Sequence, residues 1–451
     1  MKRASYEMDM CNGPLLGKIL IFAIPLMLSG ILQLLFNAAD IIVVGRYAGS
    51  QALAAVGSTG SLINLLINVF MGFSVGVNVL VARYYGAHDE KNISDTVHTA
   101  IMTSIVSSII LVFVGIFASR PLLSLMGTPD DVLDQAVLYM RIYFAGMPVI
   151  MMYNFGSAIL RAIGDTKRPL YFLLIAGVVN VLLNLCFVII FHMGVEGVAL
   201  ATVISQVISS GLIIRCLMKM PGALRLHFKL IKIHKEKLVE IIKIGLPAGM
   251  QGAIFSISNV LIQSSINSFG SIAMAGNTTS SNIEGFIYTA MNAFYQTNLS
   301  FTSQNYGGKK YDRINRILFT CLACVTVIGA GLGFLVIAFA RPLIHIYSTD
   351  PEVVSYAVLR LGIICSTYFI CGIMDTLVGS MRGLGYSVLP MIVSLTGACG
   401  LRIVWIFTIF AIDRSLTILY LSYPVSWLVT AVAHLICFLV IHKKLLKRDP
   451  V

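Results

Sequence analysis

Charged residues are scarce in this 451-residue chain: they make up 12% of the sequence, against 57% hydrophobic residues. Soluble domains carry about twice that charged share and cannot bury so much apolar surface, so a water-soluble globular fold is excluded. Tryptophan is also scarce, with two residues. An aromatic belt at a membrane surface must therefore rely on the 18 tyrosines.

Several functional signatures are missing from the sequence. No nucleophile elbow and no HExxH zinc motif occurs, and the nine cysteines show no metal-type spacing, so packing is their predicted role. The nearest approach to a phosphate-binding loop, at residues 13–19, has the wrong spacing and lacks the Ser or Thr. We therefore expect no catalytic residues, no ATP and no cofactor, which leaves an ion gradient as the energy source.

Long apolar runs dominate the chain and recur about twelve times. Each is long enough to cross roughly 30 Å of hydrocarbon as a helix. Many contain glycine or proline, which membrane helices accept. No signal-peptide cleavage pattern precedes the first run, so that run itself is expected to direct insertion. The prediction is an all-α polytopic membrane protein with helices at about 17–45, 52–82, 94–118, 133–157, 168–191, 195–217, 238–266, 272–303, 314–340, 353–378, 388–411 and 416–441.

The basic residues are distributed unevenly across this topology. If the N-terminus is cytoplasmic, 25 of the 32 Lys and Arg residues fall on the cytoplasmic side. This is the positive-inside bias of membrane proteins. It predicts a multi-pass protein of the bacterial inner membrane with both termini in the cytoplasm. The net charge of +12 is then an orientation signal, and no nucleic-acid partner is expected.

An internal repeat divides the sequence into halves. The tripeptide at 120–122 recurs at 341–343, and Arg161 and Gly164 recur as Arg382 and Gly385, all at an offset of 221 residues. Because each half holds an even number of spans, both halves have the same orientation. We predict two pseudo-symmetric six-helix lobes, residues 1–217 and 238–451, joined by a basic cytoplasmic linker at 218–237, with a cleft between the lobes.

Only three acidic residues fall well inside predicted helices, and the first of them, Asp40, has polar company. At a rise of 1.5 Å per residue, Asp40, Asn180, Asn184 and Thr202 all lie about 6–12 Å below the outer surface. A carboxylate with amide and hydroxyl oxygens suits Na⁺, whereas a desolvated carboxylate suits H⁺. We predict a Na⁺ or H⁺ site here; the alternative is a set of structural hydrogen bonds between helices.

The second half carries its own buried polar residues. Glu284, about 18 Å deep, is predicted to face a cavity, where it could attract a cationic substrate or carry a proton. The alternative is an ion pair that fixes helix packing, with Arg402 as the candidate partner. Arg360 is predicted to extend its side chain to the outer surface. The substrate or coupling candidates are, with Glu284, Asp375, Asn154, Gln251 and Arg402.

Six short stretches occur in a characteristic order: DIIVVG at 40–45, VARYYGA at 81–87, LRAIGDTK at 160–167, GVALAT at 197–202, SQNYG at 303–307 and RGLG at 382–385. With these stretches the chain resembles, over nearly its whole length, bacterial members of the multidrug and toxic compound extrusion (MATE) family. The resemblance implies export of cationic and amphipathic drugs in exchange for Na⁺ or H⁺. It also implies that Asp40, Asn180 and Thr202 are cation-site residues. Asn184 stands where some members have an aspartate, and Phe255 where others have a glutamate, so the coupling ion stays open.

The resulting hypothesis is a secondary active multidrug exporter that works by alternating access. Its partners would be small-molecule drugs or toxic metabolites and the lipid bilayer, and it would act as a monomer. One alternative is a lipid-linked precursor flippase, which the mainly acidic deep charges disfavour. Another is a channel, which would conduct ions without exchange, or a passive membrane scaffold, which would show no flux.

Overall fold

The computed structural model describes residues 6–448, with side chains for residues 6–445, and this part of the chain is helical with short connections. Helices suit hydrocarbon because they satisfy every backbone polar group within one segment. Ten of the helices are long and apolar enough to cross a membrane. Two more, Asp130–Ala145 and Met147–Ala162, form an eleventh span that bends by 49°.

The helix Ser271–Gly307 completes the set. Its 37 residues are long enough to cross a membrane, but Asn277, Thr278, Thr279 and Glu284 make it too polar for a span defined by hydropathy. It coincides with the eighth predicted span. The predicted all-α membrane fold of about twelve helices is therefore confirmed.

The described part of the first half contains seven helices, because one span is broken at Gly146. π-helical turns extend two of them, at Val44–Ala48 and Cys186–Ile190. The helices are α1 Leu15–Val43, α2 Ser50–Gly86, α3 Glu90–Leu125, α4 Asp130–Ala145, α5 Met147–Ala162, α6 Lys167–Leu185 and α7 Val195–Met218.

Up to residue 448, the second half contains nine helices, several of them short. Its eleventh predicted span is broken into three helices and includes a π-helical turn at Leu395–Gly400. The helices are α8 Lys235–Asn267, α9 Ser271–Gly307, α10 Tyr311–Ala338, α11 Ala340–His345, α12 Pro351–Gly383, α13 Val388–Ser394, α14 Leu401–Phe407, α15 Ile409–Ile412 and α16 Leu416–Arg448.

The backbone repeats the internal symmetry of the sequence. Gly49 and Gly270 precede the second helix of each half with φ of 91° and 95°. Gly164 and Gly385 follow the fourth span of each half with φ of 92° and 94°. Glycine reaches this left-handed region at little cost because it has no Cβ. Both pairs keep the offset of 221 residues, so the pseudo-symmetry seen in the sequence is present in the fold.

The described chain packs as two compact units that exchange helix segments. One unit contains residues 6–9 and 28–249, and the other contains residues 10–27 and 250–448. The boundaries between the two units therefore include one inside α1 and one inside α8, close to Pro25 and Pro247. Within the first unit, the start of α8 packs backbone against backbone on α2: a Cβ on Gly72 would lie 2.3 Å from the Gly245 carbonyl oxygen.

Candidate cation site

A close contact between α1 and α6 positions the polar residues of the first unit. Gly177 on α6 leaves room for the Phe36 ring of α1; a Cβ there would lie 1.8 Å from the ring. Asp40 is one turn beyond Phe36, and Asn184 is two turns beyond Gly177. The absence of a side chain at Gly177 thus lets the two helices approach where Asp40 and Asn184 face each other.

The four residues predicted to share a depth form one hydrogen-bonded chain across three helices. Asn184 donates from Nδ2 to the Asp40 carboxylate and, at 3.3 Å, to Oδ1 of Asn180. Asn180 in turn donates to the Thr202 hydroxyl on α7 at 3.4 Å. We refer to Asp40, Asn180, Asn184 and Thr202 as the first-half cluster. The structure therefore brings together all the residues that the depth count grouped.

The first-half cluster is rich in oxygen, and no basic side chain among residues 6–445 joins it. Asn184 is fully buried, and its side-chain oxygen Oδ1 is enclosed without a hydrogen-bond partner among residues 6–445. Asp40 makes no ion pair with a basic side chain in the same range. An unpaired buried oxygen costs about 1–3 kcal/mol, and a desolvated carboxylate costs more. A bound cation would relieve both costs.

Two residues near Asp40 were missed in the sequence. Tyr139 and Tyr143 on α4 lie close enough to interact electrostatically with the Asp40 carboxylate, and their rings stack at a centroid distance of 6.2 Å. Their spacing of four residues places them on one helix face. Nothing in the sequence indicated that this face points toward α1.

π-helical turns lie next to the first-half cluster on two helices. One, Val44–Ala48, follows Asp40, and the other, Cys186–Ile190, follows Asn184. Such turns often occur at functional sites.

In the second unit, Glu284 is locked in an ion pair. Its carboxylate accepts from Nε and Nη2 of Arg360 at 2.9 and 2.7 Å, while Arg360 Nη1 donates to Asn277 at 2.7 Å. Both charged residues are about 95% buried. Two predictions were therefore wrong. Arg360 does not extend to the surface, because α9 offers it a carboxylate, and Arg402 is not the partner of Glu284.

The remaining candidates lie in separate contacts rather than in one site. Asp375 is hydrogen-bonded to Tyr288, and Gln251 accepts from Arg382 Nη2 at 2.8 Å. Arg402 donates from Nε to Ser426 at 2.9 Å. Asn154, the repeat equivalent of Asp375, donates to a carbonyl of its own helix at 2.8 Å. None of these joins the first-half cluster.

Comparison with known proteins places this architecture in a family. A family model described as MatE matches residues 25–186 and again residues 247–408, well over half of the chain. The probable multidrug resistance protein YoeA of Bacillus subtilis is 28% identical over 390 residues, which cover 85% of this chain and 84% of that protein. The FAD transporter of Shewanella oneidensis is 24% identical over 357 residues, covering 77% and 78%.

Solved structures share the fold. An outward-facing multidrug resistance MATE family transporter of the MOP superfamily superposes with a TM-score of 0.91 at 21% identity, covering 99% of this chain and 100% of that chain. A MOP superfamily transporter from Pyrococcus furiosus superposes with a TM-score of 0.92 at 20% identity, covering 98% and 99%. Together with the two family-model matches, these findings show that the chain is a multi-pass membrane transporter and a member of the MatE family.

Proposed function

We propose that this transporter is a secondary active exporter that expels cationic or amphipathic small molecules in exchange for Na⁺ or H⁺. The observation that carries the proposal is the first-half cluster, in which a carboxylate and an enclosed, unpaired amide oxygen converge without a basic partner. Such a site offers oxygen ligands to a cation. Because no basic side chain holds the carboxylate, the cation can bind there and leave again. The names of the multidrug relatives support export as the direction of transport.

The oxygens of the cluster fit either coupling ion. Na⁺ would be coordinated by the Asp40 carboxylate, the Asn184 and Asn180 amide oxygens and the Thr202 hydroxyl, which are the hard ligands that such a cation requires. H⁺ would need only the Asp40 carboxylate, with Asn184 then reoriented to accept from the protonated acid. The two cases differ in their dependence on Thr202, whose hydroxyl would be a ligand of Na⁺ but would not contact a proton on Asp40.

Exchange requires that the ion and the substrate prefer different conformational states. An ion that binds at Asp40 from the outside would stabilise the state that releases the substrate, and a substrate that binds from the inside would stabilise the other. The first-half cluster suits such a role because it joins α1 to α6 and α7 through side chains that an ion would rearrange. The positive-inside bias supports an inner-membrane location with both termini in the cytoplasm.

Efflux of ethidium from cells that express the protein tests the proposal. Asp40→Asn keeps the size and hydrogen-bonding capacity of the side chain but removes its charge, and we expect efflux to fall below about a tenth of the wild-type rate. Asp134→Asn is the matched control: this aspartate pairs with Arg120 in the same unit, but its side chain is 81% exposed. Efflux at the wild-type rate by Asp40→Asn, with equal expression, would remove Asp40 from the mechanism.

A further inference from the structure

Three arginines are buried in the second unit, and their hydrogen-bonding differs. Arg360 uses all three of its guanidinium nitrogens on Glu284 and Asn277. Arg382 donates at 2.8 Å to both the Tyr295 hydroxyl and Gln251. Arg402 is 4% exposed and makes a single hydrogen bond, from Nε to Ser426. A guanidinium carries five N–H donors, so most of the donors of Arg402 are unused.

The unused donors of Arg402 are those of its two Nη atoms. Neither Nη atom has a hydrogen-bond partner among residues 6–445, and neither is an enclosed atom. Arg402 also makes no ion pair with a carboxylate in that part of the chain. Desolvating a guanidinium without a counter-charge costs several kcal/mol, so a structure that retains it needs compensation from elsewhere.

Aromatic rings hold the guanidinium in place. Its carbon lies 4.3 Å from the centroid of the Tyr423 ring and 5.7 Å from that of Trp427. Such cation–π contacts stabilise the charge and orient the plane of the group, but they leave its edge free. Trp427 stacks on Tyr368 at 5.3 Å, and Tyr368 stacks on Tyr288 at 6.4 Å. Tyr288 is 40% exposed, so this row of rings connects the buried arginine with a side chain that the rest of the protein does not cover.

We propose that Arg402, with the rings of Tyr423, Trp427, Tyr368 and Tyr288, is a subsite for aromatic carboxylates. The free edge of the guanidinium presents two parallel N–H donors, the arrangement that binds a carboxylate in bidentate fashion. The stacked rings offer the substrate's ring a flat apolar surface. We call these five residues the Arg402 subsite. The inference rests on the proposed transport function, because it names one class of transported molecule.

The local charges favour an anionic ligand over a cationic one. Glu284 is already neutralised by Arg360, and the interior of the second unit carries three arginines against the two carboxylates Glu284 and Asp375. The surplus positive charge lies at Arg402, the one of these three arginines whose two Nη groups make no hydrogen bond among residues 6–445. A bound carboxylate would balance that charge and satisfy those donors, whereas a cationic ligand at this position would be repelled.

Fluorescence of Trp427 gives a direct test with purified protein. The chain has two tryptophans, so Trp405→Phe leaves Trp427 as the only one, inside the proposed subsite. We would titrate this single-tryptophan protein with 2-naphthoate and with 2-naphthamide, which share a ring and differ in charge. We expect the carboxylate to quench Trp427 and to bind at least about tenfold more tightly than the amide. Equal affinities in this protein would overturn the proposal without any further variant.

Variants of the arginine locate the source of that preference. Arg402→Gln should abolish the tenfold preference for the carboxylate, and Arg402→Lys should retain part of it because a point charge remains but the fork is lost. Arg341→Gln, an exposed arginine in the same unit, should leave the preference unchanged. A folded Arg402→Gln protein that still prefers the carboxylate tenfold would contradict the assignment.

The binding assay separates this inference from the exchange mechanism. No ion gradient is present, so Asp40→Asn should keep the full preference for 2-naphthoate. A preference that holds while ethidium efflux by Asp40→Asn stays at the wild-type rate would leave the Arg402 subsite standing and remove the proposed ion site. Loss of the preference in Asp40→Asn would count against an independent subsite in the second unit.

Discussion

The two halves of this transporter descend from one repeat but treat a buried carboxylate in opposite ways. Asp40 in the first half accepts a hydrogen bond from Asn184 and has no basic partner among residues 6–445, whereas Glu284 in the second half is bound in two hydrogen bonds by Arg360. The repeat equivalent of Arg360 in the first half is Tyr139, which cannot neutralise a carboxylate. We infer that a mobile cation is needed only in the half whose carboxylate has no arginine partner among the described residues.

The difference separates a site that can cycle from one that holds helices together. Breaking the buried ion pair between α9 and α12 would strand a desolvated charge without a partner, which is strongly destabilising. The Asp40–Asn184 contact is a hydrogen bond to a neutral amide, which an incoming ion can replace at moderate cost. We infer that the first half is built for exchange and that the Glu284–Arg360 pair is a structural element of the second half.

The greatest loss of stability should follow from breaking the ion pair. Glu284→Gln leaves Arg360 buried without a counter-charge, and we expect it to lower the free energy of unfolding by about 3–5 kcal/mol. Asp40→Asn should cost far less, because it removes a carboxylate without stranding a cation. Thermal unfolding of both variants in detergent would show the contrast. Equal losses would mean that Asp40 is also a structural charge.

A smaller loss of stability is expected from a change at the contact between Gly177 and Phe36, which positions the first-half cluster. Gly177→Ala places a methyl group inside the space occupied by the Phe36 ring, and we expect a stability loss of about 1–3 kcal/mol together with weaker ion-dependent efflux. Gly57→Ala is the control, because no atom lies within 4 Å of its added Cβ. Unchanged ion dependence in Gly177→Ala would show that the approach of α1 to α6 does not govern the site.

The smallest change is expected in the ion affinity of Thr202→Val, and it distinguishes Na⁺ from H⁺. Thr202→Val removes a hydroxyl worth about 1 kcal/mol, so a Na⁺ site should lose roughly fivefold in ion affinity, whereas a proton site should change little. Thr202→Ser should restore the wild-type value. Thr320→Val, a threonine of the second half that also bonds its own helix backbone, is the control. Ion dependence of efflux measured against Na⁺ and against pH gives the answer.

Much of the fold and the first-half cluster could be predicted because both depend on distances along helices. Apolar length defines the spans, and the rise per residue gives the depth of Asp40, Asn180 and Thr202. The Glu284–Arg360 pair could not be predicted, because pairing depends on which side of α12 faces α9. In a membrane bundle the hydrophobic pattern is nearly uniform around each helix, so the sequence does not show that side. The π-helical turns, which shift the register beyond Asp40 and Asn184, were also missed.

The free edge of Arg402 illustrates the same limit. Its depth indicated a functional residue, but only the structure shows that Arg360, and not Arg402, neutralises Glu284. Once that partner is assigned, Arg402 is left with the donors of its two Nη groups unused. A residue's role in a buried polar network depends on what its neighbours have already satisfied, and the sequence does not contain that information directly.

Transport in proteoliposomes, with a Na⁺ gradient and a pH gradient imposed separately, tests the central claim most directly. We expect one of these gradients to drive ethidium transport by the wild-type protein and neither to drive it in Asp40→Asn, while Asp134→Asn behaves as wild type. Gradient-driven transport by Asp40→Asn at the wild-type rate would contradict the claim that the first-half cluster couples ion movement to export.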